Sequence, residues 1–386
     1  MFKDSPKLKN IFLIGFLLSF HLALLAYINS SFLSSFISEK MVGLAYASGS
    51  LVSIIALLIA PHIFNRVGGQ KFLIYISGLS ALSLLCLAFA KSAYTAIPVF
   101  IIYFAINTMI FFSIDELLKI FSSNSSTGKI RGLYMAFVNL AWIITQIFSG
   151  SIIENYKFKE IYLIAFSIMI LFFIASLFGL KNIQNPPSDK KNIIQSVKEF
   201  LKIKEIFRIY KINLLLQLFY CWMVIYTPIY LYHHLNFEWK EMGIIFAIML
   251  LPFSIIPYQI GKYADKIGER KMLIFGFFVI SLSTISLFFI HLHSIYIWAF
   301  MLFMTRVGAS IAETMTDVYF FKHIKTEQEE FVSVFRSATP VAYIIGPIIA
   351  FMVFEITPAF KFIYLILGII MLYGIYLSSK INKKDI

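Results

Sequence analysis

Within the apolar stretch IYIWAFMLFMTRVGASIAETMTDVYFF, residues 295 to 321, four polar side chains recur at near-helical spacing: Arg306, Ser310, Glu313 and Asp317. At about 100° per residue they fall on one face of a helix, making a charged stripe on an otherwise greasy rod. An arginine there is always charged and suits an anionic or strongly polar partner. For Glu313, burial favours the protonated form and a nearby Arg306 favours the ionised one. A carboxyl held between those influences can carry a proton, exchanging it when its neighbour moves. Asp317 lies nearer the end of the stretch, where water is close, and suits a gate closing on Arg270 or Lys271.

Other chemistries lack their signatures. The sequence contains no G-x-x-x-x-G-K-[ST] phosphate loop, no H-E-x-x-H and no G-x-S-x-G, so ATP hydrolysis, zinc proteolysis and serine esterase chemistry are not expected. The two cysteines, Cys86 and Cys221, sit in separate apolar stretches and predict neither a disulfide framework nor a thiolate metal site. No cofactor is expected.

The elements that must position the stripe follow from composition. Of 386 residues 60% are hydrophobic and 14% charged, far from the soluble norm. A hydrocarbon core of about 30 Å takes about 20 apolar residues per helix. Twelve such spans are predicted, over 11–33, 41–63, 72–90, 96–119, 132–153, 160–180, 211–232, 242–260, 271–290, 295–321, 334–354 and 361–379. The first follows Lys3, Lys7 and Lys9 like a signal peptide, but its apolar run is too long and no cleavage site follows, so it is expected to remain. Arg306 lies near the middle of the tenth span. There an ionisable group costs about 2.5–3.5 kcal/mol even on the lenient insertion scale, so it must face a cavity or a partner.

Most of the 33 basic residues fall on one side if the amino terminus is inside, against Lys40, Lys91, Lys157, Lys159, Lys240 and Lys361 outside. Both termini are then cytoplasmic, and the formal net charge of +13 is explained by topology with no nucleic-acid partner. The longest polar interval, 181–210, separates six spans from six, giving an amino-terminal bundle over 1–180 and a carboxy-terminal one over 211–386. It opens with Asn185-Pro186-Pro187 and continues as a basic amphipathic segment expected to lie on the inner membrane surface.

Shifting the sequence by 200 residues lays PHIFNRVGGQKFLIY, 61–75, on GKYADKIGERKMLIF, 261–275. Asn65 meets Asp265, Gly68 meets Gly268, and the Lys-x-Leu-Ile runs coincide. The chain reads as a tandem duplication, with both copies of this segment in the turn between the second and third spans of each half. Within the turn, Gly268 supplies backbone freedom, while Asp265, Arg270 and Lys271 can form contacts that exist in only one conformation.

The pattern Gly261-x-x-x-Asp265-Lys266-x-Gly268-x-Arg270-Lys271, with twelve spans and six-plus-six repetition, resembles the major facilitator superfamily over the whole chain. In the first half Pro61, Asn65 and Gly69 depart from the family's usual residues. The resemblance implies an all-α membrane protein of two pseudo-symmetric six-helix bundles around a cavity that opens alternately to each side. It also implies a cavity-lining tenth helix, use of ion gradients and a monomeric carrier.

The fourth span is the repeat partner of the tenth. There Asn107 answers Arg306, and Asp115 with Glu116 answers the Glu313–Asp317 region, giving Asp115 a gating role or a simple pairing with Lys119. Further polar candidates at depth are His21 and Asn29 in the first span, Asn139, Trp142 and Gln146 in the fifth, and Gln217, Tyr220, Trp222 and Tyr226 in the seventh. His21 serves either as packing or as a proton relay. With what the resemblance implies, these residues are expected to serve a proton-coupled secondary transporter of a small organic solute in the cell membrane. The aromatic seventh span favours multidrug-like export. Uptake of a sugar or organic acid is the alternative within the class, and a non-transporting receptor or scaffold the alternative outside it.

Overall fold

The computed structural model describes residues 6–121, 127–155, 157–180, 193–324 and 330–381. These form helices and, among the described residues, no strand. Twelve helices are long and apolar enough to cross a membrane: Leu8–Ala26, Glu39–Val67, Gly69–Ala88, Ala93–Leu118, Phe137–Glu154, Phe158–Gly179, Lys204–His234, Trp239–Pro257, Glu269–Phe288, Ile295–His323, Phe331–Ile356 and Phe362–Ser379. They are called the first to twelfth spans below. The Asn185-Pro186-Pro187 stop lies outside the described residues, as does the side chain of Asp265.

The chain divides into two compact units, Met1–Ser188 with Glu238–Gly243 and Asp189–Phe237 with Ile244–Ile386. In the first, the third span packs on the fourth and sixth, the second on the fourth, and the first on the helix carrying the fifth and on the sixth. Membrane helices gain little from hydrophobicity against one another, so small residues and hydrogen bonds set these contacts. Gly15 leaves room for the Tyr134 ring. Asn10 Nδ2 donates to the Gly179 carbonyl at 2.9 Å, tying the first span to the sixth.

In the second unit the ninth span packs on both the tenth and the twelfth. The tenth crosses at Gly276 and Gly308: a Cβ on Gly308 would stand 2.6 Å from the Gly276 carbonyl oxygen and 2.7 Å from the Ile280 nitrogen. Gly368 and Gly374 of the twelfth span likewise face Ile285 and Phe277. These close approaches fix the rotation of the tenth helix, and with it the direction of its charged stripe.

The duplicated turns keep one backbone geometry. Gly68 has φ 95°, ψ 140° and Gly268 φ 85°, ψ 143°. Positive φ strains any residue with a Cβ, so glycine at both places is a backbone requirement, whatever the flanking charges. The third and ninth spans then begin at residues 69 and 269 and end at 88 and 288.

The amphipathic segment forms a helix, Ile193–Lys202. Within it Phe200 is 0% exposed and packs edge-on to Tyr210 and Phe331, while Leu201 beside it is exposed. The Phe200 ring is covered there by the second unit itself. Burying one phenylalanine is worth about 1.5–3 kcal/mol, enough to hold a short helix in place.

Candidate functional site

On the tenth span, Thr305, Thr314 and Thr316 bond back to carbonyls of their own helix, leaving the charged stripe as the chemically distinct face. Arg306 is 1% exposed. Its guanidinium lies over the rings of Phe219 and Tyr220 from the seventh span, with centroids at 5.1 and 5.4 Å. Neither Nε nor Nη1 has a hydrogen-bond acceptor. Two aromatic faces offer a cation some attraction, but they cannot accept the in-plane N–H groups. Buried donors are almost always satisfied, so these two unpartnered nitrogens on a full charge are the most unusual feature of the unit.

Glu313, two turns further along, forms no salt bridge among the described residues. Tyr220 donates its hydroxyl to Glu313 Oε2 at 2.9 Å. Tyr220 therefore links the two ionisable groups, its ring against Arg306 and its hydroxyl on Glu313, and its other edge meets Phe253 of the eighth span at 6.0 Å. Arg306 and Glu313 form no ion pair with each other among the described residues. Ser310, between them, is tied to the Pro252 carbonyl at 3.4 Å, which fixes the stripe against the eighth span.

Asp317 pairs with Arg336 at 3.5 Å, both partly exposed. It does not pair with Arg270 or Lys271, the partners expected from sequence, because the start of the eleventh span lies closer to this turn of the tenth. Arg270 is half-buried and Lys271 exposed. Lys322 instead reaches Glu269, the first residue of the ninth span, at 2.5 Å. Glu205 accepts from Tyr319 at 3.2 Å and from Arg208 at 2.5 Å. Tyr210 meets Ser337, Asn213 donates to the Phe335 carbonyl, and Thr339 donates to Gln217. The seventh, ninth, tenth and eleventh spans are thus joined at one end by a polar belt.

Sequence reading missed Glu269, Lys322, Arg336 and Glu205. The available signal was their place: an acid in the first turn of a helix and a base in the last.

The remaining candidates sit as follows. Trp222 donates to the Gly346 carbonyl at 2.8 Å, and Tyr226 packs on Phe354 and Phe360. Both are buried inside the unit. In the first unit, His21 is fully buried with Nδ1 at 2.9 Å from the Leu18 carbonyl and Nε2 at 2.9 Å from the Tyr103 hydroxyl, so both ring nitrogens are occupied. Asn29 accepts from Tyr162 at 2.7 Å, Gln146 donates to the Ala23 carbonyl at 2.6 Å, and Asn107 accepts from Ser80 at 3.4 Å. Asn139 and Trp142 are half-buried and Asp115 is exposed. No group of three or more His, Cys, Asp or Glu side chains suited to a metal ion occurs among the described residues.

The family model of the Major Facilitator Superfamily matches residues 11–240 and again 222–381. The chain belongs to that superfamily. It is accordingly a multi-pass membrane protein with a transporter fold rather than an enzyme fold. Among solved superfamily-like structures, a nucleoside transporter, NupG, superposes with a TM-score of 0.78 at 11% identity, covering 98% of this chain and 100% of the other. The POT family transporter PepTSo gives the same score and identity over 98% and 97%. A bacterial homolog of the human lysosomal transporter Spinster, inward-facing and unoccupied, gives 0.70 at 12% over 98% and 95%. At such identities the likeness is one of fold. No curated protein sequence matches the chain significantly.

Proposed function

We propose that this superfamily member is a proton-coupled secondary transporter of a small organic solute, working by alternating access in the cell membrane with both termini in the cytoplasm. The second unit holds the solute's polar group at Arg306, and Glu313 carries the coupling proton. The observation that supports this reading is the buried guanidinium with two unpartnered nitrogens. A charge placed at membrane depth without an acceptor is expensive in an empty protein, and a scaffold gains nothing from it. A solute that supplies the acceptor makes it useful.

The aromatic seventh span is weaker support for multidrug-like export than its composition suggests. Trp222 and Tyr226 are engaged with Gly346, Phe354 and Phe360 inside the unit, which leaves Tyr220 beside the charged stripe. This favours a polar metabolite over a large amphipathic compound.

The test is solute flux into proteoliposomes for wild type and Arg306→Ala, with a screen of metabolites as cargo. Flux present in the wild type and absent in the variant, at equal membrane insertion, supports the reading. Equal flux in both removes Arg306 from the site. Absence of any wild-type flux leaves the receptor or scaffold reading standing.

A further inference from the structure

We propose that the solute is an organic monoanion, a monocarboxylate, moved together with one proton so that no net charge crosses the membrane. The proposal rests on the transport reading above and on a charge count at the site.

Arg306 is permanently positive and has no anionic partner among the described residues. The charged and titratable groups facing Glu313 are Asp317 and Arg306 on its own helix, Tyr220 on the seventh span and Arg336 at the start of the eleventh. Among the described residues of the neighbouring eighth span, Pro252 holds Ser310 and Phe253 meets the Tyr220 ring. Asp317 and Arg336 are already paired with each other. That leaves one fixed positive charge and one exchangeable negative charge, on one helix face and seven residues apart. Seven residues correspond to about 10 Å along the axis, and among the described residues no salt bridge joins the two.

Four occupancy states follow. With the site empty, Arg306 positive and Glu313 ionised sum to zero. With an anion on Arg306 and a proton on Glu313 the sum is again zero. The anion alone leaves the site at −1, and the proton alone leaves it at +1. Charge at membrane depth is strongly disfavoured, so the two neutral states are the ones that change conformation. The proton enters Glu313 from the side on which the anion binds Arg306, and both leave on the other side. One anion and one proton are carried per cycle.

Tyr220 makes the two events sensitive to each other. Its hydroxyl serves Glu313 while its ring lies against the guanidinium, so an anion drawing Arg306 off the ring moves the group that holds the carboxylate. A neutral solute taken up with the proton would leave the site at +1, and a dianion taken up with it would leave the site at −1.

The experiment has two arms. In detergent, the thermal midpoint of wild type and Arg306→Ala is measured with gluconate, quinate and pantothenate and with their uncharged primary amides. At least one acid is expected to raise the wild-type midpoint, its amide not to, and the variant to respond to neither. Amides as effective as acids, or no response to any acid, overturn the proposal.

In proteoliposomes, uptake of the stabilising acid is driven separately by an inside-alkaline pH gradient and by a potassium–valinomycin potential. The expected result is accumulation of about tenfold per pH unit and no response to the potential, with Glu313→Gln retaining solute exchange but losing accumulation. Uptake driven by the potential alone overturns the charge count while leaving transport intact. Absence of all flux sinks the transport reading instead.

Discussion

Tyr220 donates to Glu313 at 2.9 Å while its own ring faces the Arg306 guanidinium at 5.4 Å, so one side chain on the seventh span touches both ionisable groups of the tenth. Tyr220→Phe keeps the ring and deletes the donor. Solute binding is expected to persist within about threefold, whereas pH-driven accumulation falls by about tenfold, the effect of losing one hydrogen bond to a charged group. Ligand titration and accumulation measured on the same preparation separate the two. Equal loss of both would make the tyrosine a packing residue.

Arg306→Lys retains the charge and loses the planar fork. It is expected to recover binding only partly relative to Arg306→Ala, weaker than wild type by about tenfold or more, with membrane insertion unchanged in both. Full recovery by lysine would mean that charge alone, without geometry, holds the solute.

Gly308 and Gly276 let the tenth and ninth helices meet backbone to backbone. Gly308→Val forces them apart, and overpacking of this kind costs about 1–3 kcal/mol. The expected result is a lower melting temperature together with loss of function, since Arg306 lies two residues away. A melting temperature equal to wild type would show that the crossing is slack.

The paired turns allow a test of the latch suggested by GKYADKIGERK. Asp265→Asn and Glu269→Gln are expected to shift the carrier toward its inward-open form by up to about tenfold, for about 1.4 kcal/mol, the scale of a partly buried pair. Asn65→Ala, in the copy that is already neutral, should shift it less. Labelling of single cysteines at either end of the fourth and tenth spans reads the population. Indistinguishable labelling in all four proteins would reduce the segment to a topogenic turn.

Phe200→Ala should release the helix Ile193–Lys202 from the second unit. Deleting a buried phenylalanine costs about 3–5 kcal/mol, more than so short a helix can lose and stay docked. Limited proteolysis within 193–202 is therefore expected to accelerate well beyond tenfold, with the transmembrane core intact. Unchanged cleavage would mean that other contacts hold the segment.

The twelve spans, the duplication and the charged stripe were legible because each depends on a linear property: apolar length, a fixed offset, or a period of 3.6 residues. What was not legible depends on which helices become neighbours. Arg336 rather than Arg270 or Lys271 meets Asp317 because of how the tenth and eleventh spans pack, and no spacing within either helix encodes that. Tyr220 could be named as a polar residue at depth, yet its bridging role needed the coordinates. An amphipathic segment looks the same whether its apolar side meets lipid or protein, so the seat of Phe200 was hidden in the same way.

The spans differ in length, and that difference bears on the lipid around them. The third, sixth, ninth and twelfth helices have 20, 22, 20 and 18 residues, about 27–33 Å at 1.5 Å per residue. The second and tenth have 29, about 43 Å, and overreach a hydrocarbon core of about 30 Å at their ends. The short set carries outward-facing Leu79, Leu82, Phe178, Phe278 and Leu282. The short helices just match such a core, so a change in its thickness is expected to bear on them, while the long ones extend beyond it. In lipids with longer acyl chains the ninth helix comes under strain early, and it is the one whose glycine crossing orients Arg306. Transport rate should then depend on acyl-chain length, with an optimum near a core of about 30 Å.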